Sequence, residues 1–245
     1  MGCDNSAGES IYVCGVNSQG TSFDTEQILI LDGGTKRHQT GFNGPSVDQS
    51  TGVCVDTDDN VYVLCFNGIN NFVTKLDENL SSQAWSRSLE VGDTTGRTMS
   101  GVVCRGTTDV YTLYNRAATR QDCGWYQADA SDGSLQWQRI LNAGSGNEVQ
   151  ARSICLGHED TYILVLVFDV DDGNAVIFKL PADGSGNGTY GDYTISTSTH
   201  TYSNYSTGST NRSLSQTASS WGNFASITTG STAENVTQRS FDAIS

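Results

Sequence analysis

Residues 53–67 read VCVDTDDNVYVLCFN, and in them Asp56, Asp58 and Asn60 fall at alternate positions between two apolar runs. Oxygen ligands at positions one, three and five open a helix-flanked calcium loop, which also needs a glycine at position six and a glutamate at position twelve. Val61 and Asn67 stand there instead, so both the sharp turn and the bidentate ligand are missing. Asp and Asn equally mark tight turns, because their short side chains bond the local backbone. The stretch therefore reads as a turn between strands. Calcium at acidic turns, here and at DVDDGN (169–174), is the weaker expectation, and no other cofactor or metal is expected.

Other reactive residues are scattered. His38, His158 and His200 have no second ligand residue spaced nearby and read as exposed loop positions, and no G-x-S-x-G nucleophile turn is present. DGSGNG (183–188) lacks the Lys-Ser/Thr ending of a phosphate-binding loop. Five N-x-S/T sequons, at Asn79, Asn187, Asn204, Asn211 and Asn235, are what chance delivers in so Ser/Thr-rich a chain. Seven cysteines without a C-x-x-C pair point to neither zinc nor a complete disulfide framework, so reduced, partly buried thiols are expected. No catalytic residue is assigned.

The elements that carry these residues recur. Tyr12, Tyr62, Tyr111 and Tyr162, in SIYVCG, NVYVLC, DVYTLY and DTYILV, lie 50, 49 and 51 residues apart. Cys3, Cys54, Cys104 and Cys155 precede them by nine, eight, seven and seven residues. Cys3 is thus a repeat position, although MGCDNS also fits an N-myristoylation pattern beside an acylatable cysteine. A second apolar strand ends near an Asp in QILILDGG, FVTKLDEN, GWYQADASDG and AVIFKLPADG. Trp85 and Trp137 then follow, 52 residues apart. Each unit reads as four strands. Runs such as VYVLCF are apolar on both faces, which suits strands held between neighbouring sheets.

VDTDDNVYVLC…FVTKLDENLSSQAWSRSL and GWYQADASDGSLQWQRIL resemble blades of bacterial β-propeller repeat proteins, including the quinoprotein type. The resemblance covers residues 1 to about 195 and implies an all-β propeller of four-stranded blades of about fifty residues. Residues 1–46, 47–97, 98–147 and 148–196 then form four blades, and 197–245 a degenerate fifth. NFASITTG (223–230) would be a strand of that blade, and QRSFDAIS at the C-terminus would close the ring beside the N-terminus. The rival expectation is four blades followed by a Ser/Thr-rich tail.

Trp125, Tyr126, Tyr202, Tyr205 and Trp221 lack counterparts in the other units, which makes them candidates for a ligand site, with rings suited to stacking on sugar faces. A net charge of −14 repels phosphate backbones and anionic lipid, so nucleic acid and membrane partners are not expected. No run approaches the roughly 18 apolar residues of a membrane span, and no secretory signal is visible. In overall style the chain resembles phage tail-appendage and other virion proteins. That resemblance implies a non-enzymatic module, virion-borne or extracellular, whose partners are other structural proteins of an assembly or a host-surface glycan. The alternatives are a five-bladed glycoside hydrolase or lyase, whose acids would meet at the ring axis, and an intracellular protein-interaction propeller.

Overall fold

The computed structural model describes residues 2–3, 11–17, 24–30, 36–43, 49–66, 71–90, 99–117, 121–144, 147–205 and 208–210. All of the regular structure in them is antiparallel β, apart from one short 3-10 turn, His158–Asp160. The first sheet comprises β1 (Gly2–Cys3), β2 (Ile11–Asn17), β3 (Asp24–Ile30) and β4 (Lys36–Asn43). In the second, β5 (Gln49–Val55), β6 (Val61–Phe66), β7 (Asn71–Leu76) and β8 (Gln83–Glu90) follow one another in the same order. The third repeats the meander with β9 (Met99–Arg105), β10 (Asp109–Ala117), β11 (Gln121–Asp129) and β12 (Leu135–Ala143). The fourth has β13 (Val149–Leu156), β14 (Tyr162–Asp169) and β15 (Asn174–Pro181).

Successive sheets meet near their first strands, β2 beside β5, β5 beside β9 and β9 beside β13. This is why the landmark strands are apolar on both faces. In β6, Val61 and Val63 enter a core with Tyr12, while Tyr62 and Leu64 enter another with Val110 and Tyr126. A third core joins Tyr111, Leu113 and Trp125 to Ile163, Val165 and Val167 of β14. Each fully buried side chain of this size contributes about 1.5–3 kcal/mol. A sheet with such strands is therefore stable only between neighbours.

After the fourth sheet the chain departs from the expected blades. The segment expected to complete the fourth unit forms β16 (Gly188–Tyr190) and β17 (Tyr193–Thr197), and β17 pairs with β12 at the edge of the third sheet. β18 (Thr201–Asn204) then pairs with β8, and β19 (Gly208–Thr210) with β4. Among the described residues, those after 196 form no sheet of their own and instead extend the second and first sheets. The composition explains why. Ile195 is buried in β17 and Tyr193 on the same face is half-buried, while Thr194 on the other face is exposed, a pattern with one apolar face, suited to the edge of an existing sheet and not to burial between two. Residues 211–245, with the predicted strand at 223–230 and the closing strand, lie outside the described residues.

Cys54 and Cys104 form a disulfide between β5 and β9, with their Cα atoms 6.3 Å apart. This corrects the expectation of reduced thiols. Cys54 pairs with Tyr62 and Cys104 with Val110, one register step out of phase, so the two are presented toward one another across the junction. Cys14, Cys123 and Cys155 are free thiols.

Candidate functional site

The side chains with the most chemistry converge on one place, the turn after the third strand of a neighbouring sheet. Tyr62, on β6, donates its hydroxyl proton to Asp56 Oδ2 at 2.9 Å and also lies 3.5 Å from the Ala130 carbonyl. Lys75 Nζ and Trp85 Nε1 donate to the same carbonyl at 3.0 and 3.1 Å. Arg87, two residues after Trp85, donates from Nε to the Gly133 carbonyl at 3.2 Å and from Nη2 to the Asp132 carbonyl. Tyr202 of β18 adds a bond to the Gly133 carbonyl at 2.9 Å. The turn 129–134 of the third sheet is thus held by four side chains of the second sheet and one of the returning strand.

The arrangement recurs one unit on. Tyr111 donates to the Ala182 carbonyl at 3.2 Å, and Arg139 Nε to the Gly184 carbonyl at 2.8 Å. Tyr12 makes the corresponding bond to the Glu78 carbonyl at 3.0 Å. Gly133, at φ +72°, and Gly184, at φ +76°, sit under the indoles of Trp85 and Trp137, where a Cβ would come within 2.8 and 2.5 Å of ring atoms. Glycine is required there both by the left-handed backbone and by the ring above it. Unlike Trp85 Nε1, Trp137 Nε1 is buried without a hydrogen-bond partner.

The turns are shaped by their own acids. Asp129 accepts from the Ser131 backbone N–H and hydroxyl at 2.8 and 2.6 Å, and Asp183 accepts from Ser185 at the same two distances. The Ser185 hydroxyl, then its N–H, holds Asp183 below the ordinary carboxylate range, and the Ser134 N–H does the same for Asp132. Burial raises Asp77, but bonds from Ser81 and Ser82 outweigh it and the group ends lowered. Burial, then the Asp56 carboxylate, pushes the Tyr62 hydroxyl far above its usual range. Burial carries Tyr111 up to about 12 against the pull of Arg105. Both phenols stay protonated at neutral pH and act as donors.

Asp56, the head of the candidate calcium loop, accepts from the N–H groups of Asp58 and Asn60 at 2.9 Å each, from Asn60 Nδ2 and from Tyr62. Both of its oxygens are engaged in shaping the turn. In the second acidic turn, Asp169 accepts from the Tyr193 hydroxyl at 2.7 Å and Asp171 from the Glu148 N–H at 2.6 Å. Among the described residues no group of three or more His, Cys, Asp or Glu is placed to hold an ion, and no helix is long and apolar enough to cross a membrane.

Of the candidate aromatic residues that are described, Tyr126 and Tyr202 meet, while Trp125 and Tyr205 lie in other cores. Trp125 and Tyr126, each 1% exposed, enter separate cores on opposite faces of β11 and have no open ring face for a sugar. Tyr202 meets Tyr126 edge to face at 5.3 Å, and Tyr205 stacks on Phe72 at 4.6 Å. Trp221 lies outside the described residues. His200, expected on an exposed loop, is half-buried, with Nδ1 2.6 Å from the Ser198 hydroxyl and 3.1 Å from that of Tyr114. Ser198 is itself buried, so this Ser-His pair anchors the returning chain and offers no accessible nucleophile. His158 is exposed beside Glu159, and His38 lies on β4.

The clasp had a signal in the sequence. Trp85 and Arg87, like Trp137 and Arg139, stand two apart at the same place in their units. Its acceptors had none, because backbone carbonyls leave no trace in residue type. No protein-family model and no curated protein matches the chain.

Proposed function

We propose that the four sheets are blades of a β-propeller and that the chain is a non-enzymatic binding or structural module, a virion component that attaches to another structural protein or to a host-surface glycan. The observation that carries this reading is the repeated clasp. Tyr62, Lys75, Trp85 and Arg87 reach across to grip the next turn, and their polar groups are spent on holding sheets together. Such a frame presents surface without reacting. Along the returning chain it presents exposed hydroxyl and amide groups at Asn187, Thr194, Thr197, Thr201 and Asn204, with the Asp192 carboxylate and the ring of Tyr190 exposed as well. Groups of this kind suit sugar hydroxyls or an extended polar peptide.

The test joins a glycan array probed with the purified chain to mass spectrometry of purified particles from the native source. Presence in particles, with binding to a glycan or to a particle protein, is the expected result. Absence from particles together with no glycan binding overturns the reading, as does release of reducing sugar by the purified chain.

A further inference from the structure

Four cysteines recur within a few register steps of one another, Cys3, Cys54, Cys104 and Cys155, each on the first strand of its sheet. The middle two are bonded. Their bond depends on parity as well as proximity. Cys54 pairs in register with Tyr62, and both enter the core shared with the following sheet. Cys104 pairs with Val110, and both enter that same core from the other side. One cysteine is presented to the next sheet and the other to the preceding sheet.

The outer two cysteines repeat this relation. Cys155 pairs with Leu164, one register step from the Leu156–Ile163 pair. Ile163 packs toward the third sheet, and successive residues of a strand alternate between faces. Cys155 therefore lies on the far side of the fourth sheet, where it is exposed and free. It has the sense of Cys54. In the first sheet, Gly2 pairs with Tyr12, whose ring packs toward the second sheet, and Cys3 pairs one step away with Ile11. By the same alternation that register position has the sense of Cys104.

The far side of the fourth sheet, like that of the first, has no neighbouring sheet among the described residues. Leu164 and Leu166 are only half-buried there, and Ile177 is 66% exposed. We propose that the fourth sheet closes on the first sheet of the same chain and that Cys155 and Cys3 form a second disulfide across that junction. The chain itself favours its own first sheet over that of a second copy, because β17, β18 and β19 run back along the third, second and first sheets in turn. Two sites tethered within one compact unit meet at an effective concentration in the millimolar range. The inference rests on the propeller reading.

The step needs an oxidant of the disulfide class. Each cysteine gives up its thiol proton, the two sulfurs lose two electrons between them and bond, and glutathione disulfide accepts both electrons and both protons to become two glutathione thiols.

The experiment uses the full chain equilibrated with oxidised glutathione, then denatured, titrated for thiols and mapped by mass spectrometry. With seven cysteines and the Cys54–Cys104 bond, three free thiols per chain are expected in place of five, with a Cys3–Cys155 peptide and a monomer on a non-reducing gel. Cys155→Ser restores Cys3 to the alkylated pool and leaves Cys54–Cys104 intact. Five free thiols in the oxidised chain, or disulfide-linked dimers through Cys3 or Cys155, overturn the proposal. A second variant separates this from failure of the propeller reading. Leu166→Cys in the Cys155→Ser background labels slowly with maleimide if the first sheet covers this face, whether or not the bond forms. Labelling as fast as in the unfolded chain overturns the closed ring as well.

Discussion

Gly133→Ala tests whether the clasp holds the sheets together. The new methyl group meets two penalties. At φ +72° a residue with a Cβ carries about 1–2 kcal/mol of backbone strain. Its Cβ also stands 2.8 Å from Cδ2 and Cε3 of Trp85, closer than real side-chain carbons approach, and 3.0 Å from Cγ of Arg87. The indole is buried and bonded to the Ala130 carbonyl, so it has no free path of retreat. Displacing it costs roughly 1–3 kcal/mol for overpacking and about 1 kcal/mol for the lost hydrogen bond. The sum is roughly 3–6 kcal/mol, and at about 2–4 °C per kcal/mol for a chain of this size the midpoint should fall by on the order of 10 °C. Gly173→Ala is the control. Its φ of +69° is nearly the same but nothing lies within 4 Å of its Cβ, so only the backbone strain remains and the midpoint should fall by a few degrees. The assay is thermal unfolding followed by near-ultraviolet circular dichroism, with the disulfide intact. Combining Gly133→Ala with Trp85→Ala should cost about 1–3 kcal/mol less than the two separate losses together, because removing the ring removes the collision. If Gly133→Ala proves no worse than Gly173→Ala, or if the double variant is additive, the indole does not clamp the turn and the reasoning fails.

Three further outcomes follow from the same geometry. Gly124→Ala should fail to fold, because its Cβ would lie 2.4 Å from the Tyr114 hydroxyl and 2.7 Å from the Arg139 carbonyl oxygen; soluble expression with native circular dichroism would contradict this. Reducing Cys54–Cys104, which are 50 residues apart, should remove about 4 kcal/mol of stability by the loop-entropy relation, read from urea unfolding with and without reductant in a Cys155→Ser background. Both ends of the pH scale should unfold the chain. Tyr111 and Tyr193 titrate at about 12 when folded, for burial in each case and for the Asp169 carboxylate besides at Tyr193. Their stabilisation is complete below about pH 10 and is lost as pH rises toward the folded value, which ultraviolet titration of tyrosine alongside circular dichroism measures. Asp77, Asp132, Asp169 and Asp183 are depressed, so their contribution is present above about pH 4 and is lost as pH falls through the folded values.

The repeat was legible because burial on both faces of β6 and β10 forces the same apolar pattern every fifty residues. Tyr62 and Tyr111 were landmarks for a physical reason, since each must reach a carbonyl in the following unit. A departure from the repeat has a packing explanation as well as a functional one. Trp125 occupies the register position of Val73, beside Leu113 as Val73 is beside Leu64, and its extra volume fills the core between the third and fourth sheets. A core position varies when the gap it fills varies, so an unmatched aromatic residue reports packing as readily as a ligand. The disulfide was missed for a related reason. An odd cysteine total with no C-x-x-C pair argues about local spacing, whereas Cys54 and Cys104 meet only because sheets fifty residues apart adjoin.

The Ser/Thr-rich segment shows how composition and structure part company. A four-stranded sheet leaves its last strand with unpaired N–H and C=O groups, the template on which unrelated chains aggregate. β4, β8 and β12 are such strands, and each pairs with a piece of the returning chain, at 208–210, 201–204 and 193–197. A strand serving this purpose needs a free backbone and one modest apolar contact, as Ile195 provides, and threonine and serine supply the rest without demanding burial. Low hydrophobicity is thus the composition of a strand that covers edges. β15 has no outer partner among the described residues, and it carries exposed Lys179 and the N–H-less Pro181, two residue types that discourage strand addition. Three edges are closed by pairing and the fourth is guarded by its own sequence. The same physical problem therefore accounts both for where the Ser/Thr-rich chain goes and for the character of the strand it leaves behind.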